Sequence, residues 1–319
     1  MTIAHRDHLT VFVSGGVAEK QMERVRAAAP GADCRYFATQ KEMEAHIEEA
    51  DVVAGQISAP ALARARRLVW AHNRAAGPNT QLFAEMVASP VVLTCCKSNG
   101  AIPLAEHAIM LMLMLNRNAM NWIHAQAEHR WTHGVHGELN GLTCGIIGLG
   151  YSGQDLALKC KAFHMRVLGM RRNTQPTPNV DEIFPRARLA EFLSRSDFVV
   201  VTAPLTPETR GMLGEAEFRA MKRSAYYICF SRGGIADDAA LLRALQEGWI
   251  AGAGLDAHSQ EPLPADSPFW TAPNTIVTPH NGATSAGSQQ RGFEIFIDNV
   301  QRFVAGQPLR NIVDKQAGY

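Results

Sequence analysis

The chain has no surplus of either charge. Its 31 Lys and Arg stand against 30 Asp and Glu, a formal net charge of +1. A whole-molecule field able to hold nucleic acid or an anionic membrane is thereby excluded, and a small molecule becomes the expected partner. Long hydrophobic runs are also missing. The longest, residues 108–115, falls far short of the roughly 20 residues that cross a bilayer, so no membrane span is expected. The opening MTIAHRDHLTVFV lacks the cationic start, apolar middle and small-residue cleavage site of a secretory signal, and reads as a first strand. Six cysteines (Cys34, Cys95, Cys96, Cys144, Cys160 and Cys229) form no CxxC pair and no zinc-type double pair. Free thiols, several within apolar segments, are expected, as in a reducing cytoplasm.

Against these absences stands an ordinary globular balance, 46% hydrophobic and 19% charged over 319 residues, enough for two packed units. From residue 8 to 94 short apolar runs (8–13, 35–37, 51–54, 68–71, 91–94) alternate with amphipathic ones (17–28, 40–48, 58–67, 81–88). That alternation predicts a parallel sheet covered by helices. An apolar helix follows at 103–118, read as core. A second series places strands at 143–147, 166–170, 198–202, 225–230, 251–255 and 275–277, with helices at 152–163, 189–195 and 237–247. The fold class expected is therefore α/β with two separate parallel sheets. Residues 289–305 carry apolar side chains near helical spacing (Phe293, Ile295, Phe296, Val300, Phe303), and are expected to close back onto the first sheet.

Gly148, Gly150 and Gly153 form a GxGxxG, with Tyr151 and Ser152 between the last two. The motif alone is weak, but here it joins a predicted strand to a predicted helix, the dinucleotide-binding context. The first glycine makes the turn, the second admits a pyrophosphate to the backbone, and the third lets helix and strand pack closely. At the end of the next strand, where an NAD site carries an acid for the ribose hydroxyls, the chain has Arg171 and Arg172, with no acid before Asp181. Two guanidinium groups there suit a 2′-phosphate, so NADP is the expected cofactor, NAD remaining open if both are merely solvated.

Three further segments place a reactive side chain just after a predicted strand: Arg232 in Phe230–Gly234, Glu261 in Leu255–Pro262, and His280 in Thr278–Gly282. Reducing a 2-oxo acid requires a cation for the carboxylate and carbonyl, and a proton donor as hydride arrives. Arg232 and His280 match these needs, and Glu261 suits a partner that orients the imidazole and favours its charged form.

With these motifs in order, the chain resembles the D-isomer-specific 2-hydroxyacid dehydrogenase family along almost its whole length. The likeness includes Asn99–His107, the glycine turn, Pro204-Leu205-Thr206-Pro207-Glu208-Thr209, Ser231-Arg232-Gly233, Gly252–Asp256 with Glu261-Pro262, and Thr278-Pro279-His280. The resemblance implies a flavodoxin-like substrate-binding (catalytic) domain from residues 1–100 and 288–319, around an inserted Rossmann domain at 101–287. It implies that Arg232 binds substrate, His280 is the general acid/base and Glu261 supports it. Asp256 is expected at the nicotinamide amide, Pro204 and Thr209 along the cofactor, and Ala76 and Gly77 at the substrate carboxylate through backbone N–H groups. A homodimer built through the region of helix 103–118 and Trp131 is implied as well.

Some positions depart from the family pattern. Cys229-Phe230-Ser231 replaces a stretch that usually begins with Asn, Asn79 stands where Asp is usual, Pro78 has no N–H to offer, and His258 replaces an aromatic or aliphatic residue. The spacing of His129, His133 and His136 could hold a metal on a helix, but Gly134 and the lack of a matching carboxylate speak against it, and no metal is expected. His107 lacks an HExxH arrangement and reads as a packing or bonding residue. The expected function is NADP(H)-dependent reduction of glyoxylate, hydroxypyruvate or a similar 2-oxo acid. A D-3-phosphoglycerate dehydrogenase and a dinucleotide-sensing corepressor-like protein are the alternatives.

Overall fold

In the computed structural model, residues 8–318 are described. The chain divides into two compact units, one of residues through Asn99 together with those from Ser285 onward, the other Gly100–Thr284.

In the first unit β1 (Thr10–Ser14), β2 (Asp33–Phe37), β3 (Val52–Ala54), β4 (Trp70–Asn73) and β5 (Val92–Cys95) form a wholly parallel sheet in the order β2-β1-β3-β4-β5. This is the flavodoxin-like order. β1, β3 and β4 are buried along their whole length, as strands covered on both faces must be. One face holds Phe12, Val53, Ile57 and Met86. On the other, the helix Ala286–Val304 lays Phe293, Phe296, Ile297 and Val300 against Val11, Val13 and Trp70.

The second unit has seven parallel strands: β6 (Thr143–Ile147), β7 (Arg166–Met170), β8 (Glu182–Phe184), β9 (Phe198–Val201), β10 (Tyr226–Cys229), β11 (Gly252–Leu255) and β12 (Thr275–Val277). Their order, β12-β11-β10-β9-β6-β7-β8, reverses between β6 and β9, the switch point at which open α/β sheets bind ligands. Side-chain alternation on β9 shows how the sheet divides the core. Phe198 and Val200 face Leu111, Leu156 and Cys160, whereas Val199 and Val201 face Phe192, Phe218 and Leu241.

The apolar helix runs Ala101–Asn116 and buries Ala105, Ala108, Ile109, Leu111, Met112 and Leu115, so its Met and Leu residues serve mainly as core. Sequence periodicity did not reveal three of the strands and α-helices, one of them the short helix Glu215–Ala220. β8 is only three residues long, and the helix Ala119–Ala127 is parted from its predecessor by Asn118 in the left-handed region (φ 52°). All six cysteines are free thiols, five of them buried. Among the described residues no helix is long and apolar enough to cross a membrane.

Candidate active site

Gly148 leaves β6 at φ +99°, where a Cβ would lie 2.7 Å from the Ala203 backbone nitrogen, and one on Gly153 would meet the Gly148 carbonyl at 2.2 Å. These two glycines are required by the fold. Gly150 differs: nothing lies within 4 Å of its would-be Cβ. It caps the helix Tyr151–Ala162 without a side-chain bond, so the first N–H groups of this three-turn helix have no partner within the helix and form its positive end. A dinucleotide pyrophosphate fits this cradle.

Beyond β7, Arg171 is half-buried and its Nη1 donates to Thr177 Oγ1 at 3.3 Å, while its backbone N–H reaches Phe184 of β8. Arg172 is exposed and lies near Glu208, whose carboxyl it helps hold below the usual range, after the larger effects of hydrogen bonds from Thr206 and from the Glu208 backbone. The Thr209 hydroxyl donates to the Pro204 carbonyl at 2.7 Å and accepts from Thr206 N–H at 2.8 Å. Thr209 thus knots the 204–209 turn beside the switch point.

The Arg232 turn follows β10. Its shape depends on Gly233, where a Cβ would sit 2.0 Å from the His258 carbonyl carbon and 2.2 Å from the Ser259 nitrogen. Arg232 Nη1 donates to the Ser231 carbonyl at 2.6 Å. Burial lowers the basicity of this guanidinium, and the Glu261 charge works against that; so strong a base remains charged. Arg232 also lines a cavity of about 550 Å³ with Gly233, His258, Leu263 and Phe269.

His280 Nδ1 lies 2.8 Å from both oxygens of Glu261. The acceptor-only carboxylate fixes the proton on Nδ1 and leaves Nε2 for other chemistry. Glu261 also accepts from His258 N–H at 2.9 Å. Burial pushes its carboxyl upward, but the His258 N–H and the His280 ring outweigh this and hold it below the usual carboxylate range. His258 Nε2 donates to the Thr278 carbonyl at 3.0 Å, so the imidazole at this unusual position braces the loop that carries His280.

Asp256 is wholly buried. Its Oδ1 accepts from Thr278 Oγ1 (2.7 Å) and Asn281 N–H (3.1 Å), and its Oδ2 from Gly282 N–H (2.9 Å). The family resemblance implies a contact of this residue with the nicotinamide amide; within the chain it also staples the 278–282 loop. Thr278 stands in the Thr278-Pro279-His280 motif, but nothing in the sequence announces that its hydroxyl bonds Asp256, just beyond the neighbouring strand.

In the first unit, Ala76 and Gly77 lie in the turn after β4. Asn73 shapes that turn by donating to the Gly77 carbonyl (3.0 Å) and accepting from Ala75 N–H (3.2 Å). Among the described residues, no hydrogen bond uses the Ala76 or Gly77 N–H. His129, His133 and His136 are spread along a segment that forms no helix, with the His136 ring edge-on to Trp122.

A family model described as "D-isomer specific 2-hydroxyacid dehydrogenase, NAD binding domain" matches residues 109–282. A glyoxylate reductase of Korarchaeum cryptofilum is 35% identical over 221 residues, which span 66% of this chain and 66% of that protein, just under two thirds of its length. Among solved structures, a D-isomer specific 2-hydroxyacid dehydrogenase family protein from Aeromonas salmonicida superposes with a TM-score of 0.88 at 30% identity, covering 96% of this chain and 99% of that one. An NADPH-dependent glyoxylate/hydroxypyruvate reductase from Sinorhizobium meliloti, solved with NADP and sulfate, gives 0.84 at 32% identity, covering 98% and 100%.

Proposed function

The chain belongs to the D-isomer-specific 2-hydroxyacid dehydrogenase family, and from that premise we propose that it is an NADP(H)-preferring reductase of small 2-oxo acids, glyoxylate and hydroxypyruvate foremost. The observation that carries this reading is the His280–Glu261 pair, with Nδ1 2.8 Å from both carboxylate oxygens, in the same unit as the half-buried Arg232. NADPH, when bound, supplies a hydride to the carbonyl carbon. Arg232 holds the substrate carboxylate and polarises the carbonyl. His280 keeps the balancing proton at Nε2 and delivers it to the carbonyl oxygen, while Glu261 orients the ring and offsets its charge. Products with a chiral carbon are D-2-hydroxy acids.

Arg171 and Arg172 support the preference for NADP, as does the NADP-bound relative. Ala76 and Gly77 offer N–H groups to the substrate carboxylate from a substrate-binding domain of residues 1–100 and 288–319; residues 101–287 are the cofactor domain. Trp131 and Val135, almost fully exposed, suit a homodimer, and the free thiols suit the cytoplasm.

A steady-state comparison of NADPH and NADH with glyoxylate, hydroxypyruvate and 3-phosphohydroxypyruvate tests the assignment. Preference for the phosphorylated acid would favour a phosphoglycerate dehydrogenase, and no turnover at all a sensor. His280→Ala should lower kcat by about 10²–10⁴-fold with NADPH binding retained. Arg171→Asp should move preference towards NADH, and an unchanged ratio would refute the reading of the arginines.

A further inference from the structure

We propose that His107 is a positioning residue for His280, acting through Thr278 and Asp256. The inference rests on His280 as the proton donor, and it gives work to a histidine that no step above uses.

His280 stands at φ +51°, in the left-handed region that an L-residue with a Cβ enters at a cost of about 1–2 kcal/mol. Something outside the loop must enforce that conformation. Asp256 does so from both sides: the Thr278 hydroxyl binds it ahead of His280, and the N–H groups of Asn281 and Gly282 bind it behind. A wholly buried carboxylate keeps such partners, because each one lost exposes charge to a medium that cannot solvate it.

The Thr278 hydroxyl has one hydrogen and gives it to Asp256 at 2.7 Å, so it can only accept from His107 Nε2 at 3.1 Å. Nε2 of His107 therefore carries the hydrogen. Burial lowers the His107 pKa, against the pull of Asp256, and so favours the neutral ring. The ring also walls the loop, since a Cβ on Gly282 would meet it at 3.1 Å. Deleting the N–H removes the partner that orients the Thr278 hydroxyl towards Asp256. That loosens the front anchor of the loop, while the His258 bond to the Thr278 carbonyl and the backbone anchors on Asp256 remain. His107 stands on the helix Ala101–Asn116, whose Leu111 packs on Gly254 of β11, so the brace starts from a rigid element.

The test uses the full chain. His107→Phe keeps a ring and removes the donor; His107→Gln restores an N–H towards Thr278. Thr278→Val and Thr278→Ser repeat the contrast one bond further on, which keeps the question open to test if His107→Phe fails to fold. With glyoxylate or hydroxypyruvate and NADPH, His107→Phe and Thr278→Val should each lose about tenfold or more in kcat, while KM for the acid and the NADPH Kd read by fluorescence stay within about twofold. The Gln and Ser variants should recover most of the loss, and the double variant His107→Phe/Thr278→Val should be no worse than either single one. Independently of turnover, ¹⁵N-histidine NMR should show the His280 Nδ1–H signal shifted or broadened in His107→Phe and restored in His107→Gln. An unchanged kcat and unchanged His280 signal in folded His107→Phe would overturn the proposal. So would a loss confined to NADPH binding, or no rescue by Gln. If His280→Ala still turns over, the assignment of His280 itself falls; if His280→Ala is inactive and His107→Phe is not, only the role of His107 falls.

Discussion

At the scale of single residues, two glycines of the proposed site are needed for opposite reasons. A methyl on Gly233 would collide with the backbone of His258 and Ser259, which cannot swing aside as a side chain can, whereas a methyl on Gly150 would point into empty space. Gly233→Ala should therefore behave as an overpacked core substitution. It should cost about 1–3 kcal/mol, lower the thermal midpoint and reduce turnover by displacing Arg232. Gly150→Ala should leave the thermal midpoint almost unchanged and weaken NADPH by about tenfold, roughly 1.4 kcal/mol, because the added methyl occupies the approach to the helix N-terminus. Paired melting curves and NADPH titrations separate the two effects. Unaltered NADPH binding in Gly150→Ala would mean that the pyrophosphate does not pass over this turn.

At the scale of elements, legibility in the sequence followed length and local context. The closing helix has its buried apolar side chains at 293, 296, 297 and 300, a helical stripe, and its period predicted it; Ile295 gave its expected place in the core to Ile297, and Phe303 packs against the core only partly buried. Phe296 packs at a tilt beside Trp70 and His72, with ring centroids 6.0 and 5.1 Å away. Phe296→Ala should cost about 3–5 kcal/mol, and urea unfolding would measure it; a loss under about 1 kcal/mol would show that the helix is held by something other than this stripe. β8 was hidden because Phe184 owes its burial to groups beyond its own strand: the Phe192 ring, and the guanidinium groups of Arg188 and Arg195 stacked 4.5 and 5.2 Å from its ring. The site divides in the same way. Arg232, Glu261 and His280 could be picked out because each follows a strand at the edge where α/β sheets place their chemistry. The Thr278–Asp256–His107 brace could not, because it joins three elements remote in sequence, and a hydrogen bond across strands leaves no local periodicity.

At the scale of the whole molecule, the formal net charge of +1 counts all 12 histidines as neutral, so the response of stability to acid turns on groups that bind protons differently in the folded and the unfolded chain. His72 is the clearest. It has no exposed surface; its Nδ1 accepts from the Thr94 hydroxyl at 2.8 Å, that hydroxyl in turn accepts from Trp70 Nε1 at 2.8 Å, and its Nε2 donates to Cys96 Sγ at 3.3 Å. Every partner suits the neutral ring. Burial, with the Arg74 charge adding to it, lowers the His72 pKa from the ordinary 6.5 to about 3. Between those two values the unfolded chain takes up a proton that the folded chain refuses, so stability must fall as pH falls through this window, by about 1.4 kcal/mol per pH unit. From about pH 7.5 to about pH 5 the loss from this one group is about 2 kcal/mol. Glu261, whose pKa is depressed, contributes stability that is lost only at lower pH, below the ordinary carboxylate range. His72→Gln keeps one acceptor and one donor in place but cannot titrate. Urea unfolding across the window should therefore show a shallower acid slope for the variant than for the parent. Equal slopes would mean that another group, such as a carboxylate, governs acid sensitivity.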